Sequence, residues 1–575
     1  MRRALAVVAL ATVGAATAAV AVAADPAPAE PVSIPKRWTP RERAVAEGVT
    51  AGGLRAHTRV LADDLLEGRA PGSRGDAMAM AYVRSQLERL GYEPGGANGS
   101  WLQKFDIVGL TTTVKRPPVI TGPPGSAPIT LSPPNDAIVA AGTQRPGEKI
   151  ADAEVVFVGY GITAPEQQWD DWKGVDVRGK VVLVMNNDPD VATDPSLFAG
   201  KTRLYYGRWT YKYEEAARHG AAAAIIIHTE PSAGYPWRVV QTSWTGDDYE
   251  LPDEGEPRVQ AKMWVTEEMA RRIARLGGKD LDALRAAAER RDFKPVALGV
   301  KLSTEIATKV QKLETANVLG LLRGSDPKLA NEVVVYTAHH DHLGVRAPPP
   351  GSTAGADGIY NGALDNASGV AAILSIAEGL ARATPRPKRS VLIAAVGVEE
   401  SGLLGSEYYA RHPTVAPGRI AANINIDGVN IYGRTRDVEI IGLGKSSLDA
   451  VVTRAATEQA RVVRPDQFPD RGHFYRSDQF NFARIGVPSL YLKGGLDVVG
   501  KPPGWARARI DEYVKTHYHQ PSDELRDDWT FDGAVDDVRL LTVVGLRVAD
   551  APAPPAWRPG DEFEATRKKA LADLR

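Results

Sequence analysis

Apolar residues fall into two regimes along this chain. Beyond residue 310 they form a regular succession. Residues 332–338, 391–397, 420–426, 438–443 and 487–492 are near-continuous apolar runs of strand length. Residues 368–383, 403–412 and 446–460 carry apolar side chains at helical spacing. Solid apolar strands alternating with amphipathic helices predict an α/β sheet covered on both faces. Upstream the order is looser. Residues 44–91 read as helical with a break at 67–72, and 101–110 as a strand. The Pro- and Gly-dense stretch 117–134 predicts a linker. Strands are predicted at 155–162, 180–185, 221–227 and 261–265, and helices at 211–220 and 267–290. No internal repeat is visible.

With 575 residues the chain is too long for one ordinary domain. Arg2 and Arg3 precede an uncharged Ala- and Val-rich run that ends in small residues at Ala23-Ala24. This pattern predicts a cleaved export signal over 1–24, with an uncleaved anchor as the alternative, then a flexible lead-in over 25–40. The mature protein is therefore expected in the periplasm or outside the cell, with no stable membrane anchor. Its 70 basic and 71 acidic side chains leave a net charge of −1. No general basic footprint for nucleic acid exists. Cysteine is absent, which excludes disulfides, thiolate zinc sites and a cysteine nucleophile. Any metal must be held by His, Asp and Glu.

Those residue types gather where an α/β sheet binds ligands, beyond the carboxyl ends of strands. His339, His340, Asp341 and His342 directly follow the strand predicted at 332–338. Asp365 stands just before a helix, Glu399 and Glu400 just after a strand, and Asp427 at a strand end. His519 follows in Thr-His-Tyr-His-Gln-Pro. One acid in such a place is usually a helix cap or a solvated turn. Together they make an oxygen and nitrogen donor set for a pair of zinc ions. Adjacent Glu399 and Glu400 can divide ligation from base catalysis, because neighbouring side chains diverge. No Gly-x-Ser-x-Gly elbow and no His-Glu-x-x-His occurs, and Gly444-Lys445-Ser446 lacks the upstream glycine of a phosphate loop.

The set His-x-Asp, Asp-Asn-x-Ser-Gly, Glu-Glu, Asp and Tyr-His-x-Pro-x-Asp resembles the M28 family of co-catalytic zinc aminopeptidases. The likeness is strong over 310–523 and looser over 44–110. It implies a mixed central sheet covered by helices, and two Zn²⁺ per chain. His339 and Asp427 would bind one ion, Glu400 and His519 the other, with Asp365 bridging. Asp341 would accept the other N–H of His339. Glu399 would be the general base toward a water held by the two metals. Tyr518 would either help hold the oxyanion or pack beneath the metals. His342 is expected to shape the rim, and His473 and His517 to line a pocket or lie at the surface. The Pro/Gly-rich stretch 346–360 reads as a loop over the site.

Residues 157–162, 176–183 and 216–222 resemble a protease-associated (PA) domain, a smaller β-rich module inserted into some peptidases of this kind. The implied organisation is an N-terminal part of the peptidase domain at 41–140, the PA insertion at 141–290 and the main peptidase part at 291–575. The implied activity is removal of N-terminal residues from peptides with a free N-terminus. A carboxypeptidase, a glutaminyl-cyclase-like enzyme and a non-catalytic binding module are the alternatives on the same fold.

Overall fold

The computed structural model describes residues 34–574 apart from 192, 193, 195, 349, 350 and 354. The expected export signal at 1–24 and residues 25–33 of the lead-in lie outside the described residues. No helix among the described residues is long and apolar enough to cross a membrane.

Four parallel strands form the middle of the sheet around the predicted site: Val333–His339, Ser390–Val396, Ile420–Asn425 and Ser489–Gly494. Their spatial order places Val333–His339 between Ser390–Val396 and Ile420–Asn425. Every residue of Val333–His339, Ser390–Val396 and Ile420–Asn425 is buried, which is why they read as solid apolar runs. Side chains alternate between two covered faces. Val333, Val335, Leu392 and Ala394 pack with Tyr409 and Phe482 from helices Leu404–Arg411 and Gln479–Arg484. On the other face the Tyr336 hydroxyl donates to the backbone carbonyl of Leu541, at 2.9 Å, in helix Asp532–Asp550. That approach requires Gly545, where a Cβ would stand 1.7 Å from the tyrosine oxygen. Helix Ser368–Ala381 is buried along nearly its whole length.

The 27-residue strand Val296–Leu322 continues the sheet into a second half. Its C-terminal end pairs antiparallel with Ser390–Val396, and its earlier part with Gly147–Phe157. Beyond lie Val181–Met185, Ala223–His228, Ala261–Thr266 and Ala137–Ala141. This half has apolar packing on both faces. Val181, Leu183, Ile225 and Met263 meet Met269 and Ile273, while Val182, Val184, Ile226 and Trp264 meet Trp172, Tyr213 and Val240.

The stretch 117–134 is not simply a linker. Leu102–Thr121 is one 20-residue strand, antiparallel to Val296–Leu322, and Ile129–Thr130 folds back against it. Pro117 and Pro118 fall where the register slips between Ser303 and Glu305. A bulge tolerates residues that have no N–H to give.

Candidate metal centre and active site

The carboxyl ends of three parallel strands deliver the site. Val333–His339 ends on His339, Ser390–Val396 leads to Glu399 and Glu400, and Ile420–Asn425 leads to Asp427. Asp365 comes from the turn before helix Ser368–Ala381. Asn366 ties that turn to the Asp427 loop. Its side-chain oxygen accepts the N–H groups of Gly369 and Gly428, both at 2.9 Å, and its amide donates to the Ile426 carbonyl at 3.0 Å. Gly369 is required there, because a Cβ would meet the Asn366 oxygen at 2.1 Å.

All five expected ligands converge. His339 Nε2 lies 3.2 Å from Asp365 Oδ1 and 3.6 Å from Asp427 Oδ1. His519 Nε2 lies 3.2 Å from Asp365 Oδ2 and 3.0 Å from Glu400 Oε2. Asp365 thus offers one oxygen to each imidazole. Glu399 Oε2 stands 3.9 Å from His339 Nε2. The Tyr518 ring packs tilted at 4.0 Å from the His519 ring and lines the cavity that opens from Asp365, Glu399 and Asp427.

Asp341 departs from the role expected of it. Its carboxylate is 3.8 Å from His339 Nδ1, and the nearer acceptor, at 3.3 Å, is its own backbone carbonyl. The carboxylate instead accepts the backbone N–H of Glu399 at 3.0 Å and of Glu400 at 3.4 Å. His342 is not at a rim. It is fully buried, with Nδ1 2.6 Å from Glu400 Oε1 and its ring edge-on to His519 at 5.6 Å. His340 points away from the cluster to the buried Asp76, at 2.9 Å. His473 lines the cavity, and His517 contacts Ser522 at an exposed position.

Several supporting residues were given no role from the sequence. Arg69 is buried, and its guanidinium donates to the carbonyls of His340, at 2.7 Å, and Gly362, at 3.1 Å, and also to those of Leu61 and Asn361. It thereby braces the loops bearing His339 and Asp365. The Asp523 carboxylate accepts the N–H groups of Leu364 and Asp365, both at 3.1 Å, and the Tyr513 hydroxyl at 3.1 Å. Asp523 closes the Tyr-His-x-Pro-x-Asp pattern, so the motif held a hint of it. The loop 346–360 is pinned at its base by pairing of Gly344–Val345 with Ile359–Tyr360.

The donor set fits a pair of dications. His339 Nε2 and His519 Nε2 are buried and make no hydrogen bond among the described residues. Around them lie Asp365, Glu399, Glu400 and Asp427, while the buried cation Arg69 is committed to backbone carbonyls. Such a field demands positive charge. Burial by itself would lower the His339 and His519 pKa values. For His339 the carboxylates of Glu399, Asp365 and Asp427 outweigh burial and hold it well above the ordinary range. For His519 those of Glu400 and Asp365 carry it to about 9. Burial pushes Glu399 well above the usual carboxylate range. Three sets of ligand atoms lie close enough for one ion among the described residues: His339, Asp365 and Asp427; His339, Glu399 and Glu400; and His342, Asp365 and Glu400.

The chain is similar to several known proteins. The leupeptin-inactivating enzyme 1 of Streptomyces exfoliatus is 32% identical over 276 residues, 45% of this chain and 53% of that protein. A probable zinc metalloprotease of Pyrenophora teres f. teres is 24% identical over 308 residues, 47% of this chain and 60% of that one. Aminopeptidase NAALADL1 of Mus musculus is 29% identical over 135 residues, 22% of this chain and 16% of that one. The matched stretches span less than two thirds of each of these relatives. Among solved structures, an aminopeptidase from Aneurinibacillus sp. strain AM-1 shares the fold, with TM-score 0.52, 19% identity and coverage of 90% of this chain and 98% of that one. The model of peptidase family M28 matches residues 317–543, the stretch that contains His339, Asp341, Asp365, Glu399, Glu400, Asp427, Tyr518 and His519.

Proposed function

We propose that this chain is an exported di-zinc metallopeptidase that removes N-terminal residues from peptides. The observation that carries the reading is the shared carboxylate: the two oxygens of Asp365 each face a different imidazole at 3.2 Å. His339, Asp427 and Asp365 would hold one zinc ion, and Glu400, His519 and Asp365 the other. Bound zinc supplies the Lewis acidity that makes water a nucleophile near neutral pH. In this assignment Glu399 is left to act as the base. Its buried carboxylate takes the proton of the attacking water and returns it to the leaving amine. Burial, reinforced by the nearby carboxylates, raises the Tyr518 phenol well above its ordinary pKa. It therefore stays protonated and can donate to the oxygen on which charge develops. Export rests on the sequence of residues 1–24. The two-sided packing of strands at 137–266 supports reading 141–290 as a PA-type insertion.

A second reading, on the same centre, is favoured by the cavity wall. Arg476 and Lys493 both line it, and the Lys493 ammonium stands 5.3 Å over the Tyr491 ring without a side-chain hydrogen bond or ion pair among the described residues. These cations suit a substrate carboxylate, as a carboxypeptidase would need. One panel decides between the readings. Aminoacyl anilides, with the amine free or acetylated, and N-acyl dipeptides are offered to the zinc-loaded protein. Cleavage of free-amine anilides alone, lost with chelator and restored by zinc, establishes the aminopeptidase. Cleavage of N-acyl dipeptides alone establishes the carboxypeptidase instead.

A further inference from the structure

The expected second-pole ligand His519 has a partner from a distant part of the chain. The Ser243 hydroxyl lies 2.7 Å from His519 Nδ1, across 276 residues of sequence. Ser243 sits in the last turn of helix Trp237–Trp244, inside the expected insertion and outside the stretch that matches the family model. The contact is built in from both sides. Gln520, next to His519, donates its amide to the Thr242 hydroxyl at 3.1 Å. Arg346, in the chain that follows His339 and His342, donates one guanidinium nitrogen to the carbonyls of Thr242 at 2.7 Å, Ser243 at 3.1 Å and Thr245 at 3.1 Å. An arginine satisfying the last carbonyls of a helix is a recurrent way to fix its C-terminal end. Below, Tyr235 packs 6.4 Å from Tyr518, and the Arg476 guanidinium lies 5.3 Å over the Tyr235 ring. The tip of this helix is therefore seated on the metal-centre loops themselves.

We propose that Ser243 is a positioning residue for the metal centre, so that the segment 141–290 completes the second pole. The inference rests on the di-zinc reading. With Nε2 of His519 aimed at Asp365 and Glu400, a lone pair given to a cation there leaves the ring proton on Nδ1. The Ser243 oxygen accepts that proton and fixes both the tautomer and the ring plane. His339 solves the same problem locally, through the backbone carbonyl of Asp341. His519 draws its acceptor from a different segment of the chain.

The test is zinc affinity of the whole mature chain, measured by competition with a chromophoric chelator, for wild type, Ser243→Ala and Ser243→Thr. Ser243→Ala should weaken one of two zinc sites about 10–100-fold and spare the other, the usual scale for losing such a partner. Ser243→Thr, which keeps the hydroxyl, should restore the affinity. The unfolding midpoint of the zinc-free protein should be the same in all three. Equal affinities in wild type and Ser243→Ala overturn the inference. So does loss of both sites with a lowered zinc-free midpoint, the mark of a general structural defect. A wild-type protein that takes up no zinc overturns the di-zinc reading, and this inference with it.

Discussion

The Asp341 carboxylate accepts the backbone N–H of Glu399 at 3.0 Å. The residue two places after the proposed ligand His339 thus sets the course of the turn that carries both the proposed base and, at Glu400, a proposed ligand of the other pole. Asp341→Asn would present an amide NH₂ to one of two backbone N–H groups. Leaving a buried donor unpaired costs about 1–3 kcal/mol. The expected result is a fall in kcat of roughly 10-fold or more with weaker zinc binding, measured by steady-state hydrolysis and chelator competition. Unchanged kcat and unchanged affinity would show that the turn holds its shape without the carboxylate.

Glu399→Gln keeps the size of the side chain and removes its ability to take a proton. Both zinc ions should remain, while turnover falls about 10²–10⁴-fold. Metal analysis of the purified variant, alongside its kcat on a free-amine anilide, checks both halves. Full activity would remove Glu399 from the chemistry.

Asp365→Asn removes the charge that the two poles share. Because Oδ1 and Oδ2 each face a different imidazole, both zinc affinities should fall together. Loss at one pole alone, seen by titration with the metal, would mean that Asp365 is a terminal ligand and not a bridge.

The legible part of this protein was set by burial and by chemistry at strand ends. Strands such as Ser390–Val396 are buried at every position, so their apolar runs stand out. His339, Glu399, Glu400 and Asp427 stand at the ends of such strands and Asp365 just before a helix, while His519 lies past the end of helix Trp505–Thr516, and family resemblance assigned their roles. What escaped was what long-range pairing decides. Val296–Leu322 carries Lys, Glu, Gln and Thr along an alternating pattern, and only its partners on both sides make it one strand. Asp532–Asp550 buries Asp536, Asp537 and Arg539 among apolar residues, which masks a core helix as a charged one. Arg69 and Ser243 act on the site from 271 and 276 residues away, a relation that no local pattern encodes.

Arg69→Lys tests the brace between the loops that carry His339 and Asp365. A planar guanidinium reaches carbonyls on three separate segments, and an ammonium at the end of a flexible stem does not. With several buried carbonyls left unsatisfied, stability should fall by on the order of 3 kcal/mol. Urea unfolding of the zinc-free protein measures this. A change within about 0.5 kcal/mol, the range usual for surface sites, would mean that the loops hold without the brace.

Glu439 offers a test of stability that is separate from the metal centre. It lies on Asp437–Ile441, directly across an antiparallel pair from Lys493, yet one carboxylate oxygen is buried without a hydrogen bond. Burial raises its pKa to about 8. Between the usual carboxylate range and about 8, the folded chain keeps a proton that the unfolded chain has lost. The unfolded state then binds fewer protons, so this group makes stability fall as pH rises, by at most about 1.4 kcal/mol per pH unit. Above about 8 both states have lost the proton and the contribution levels off. Glu439→Gln stays neutral throughout. Relative to wild type it should gain stability steadily from about pH 5 to pH 8 and then no more. Urea unfolding of both proteins across that range, in the zinc-free state, gives the difference directly. A difference that does not change with pH would show that Glu439 titrates alike in the folded and unfolded chains.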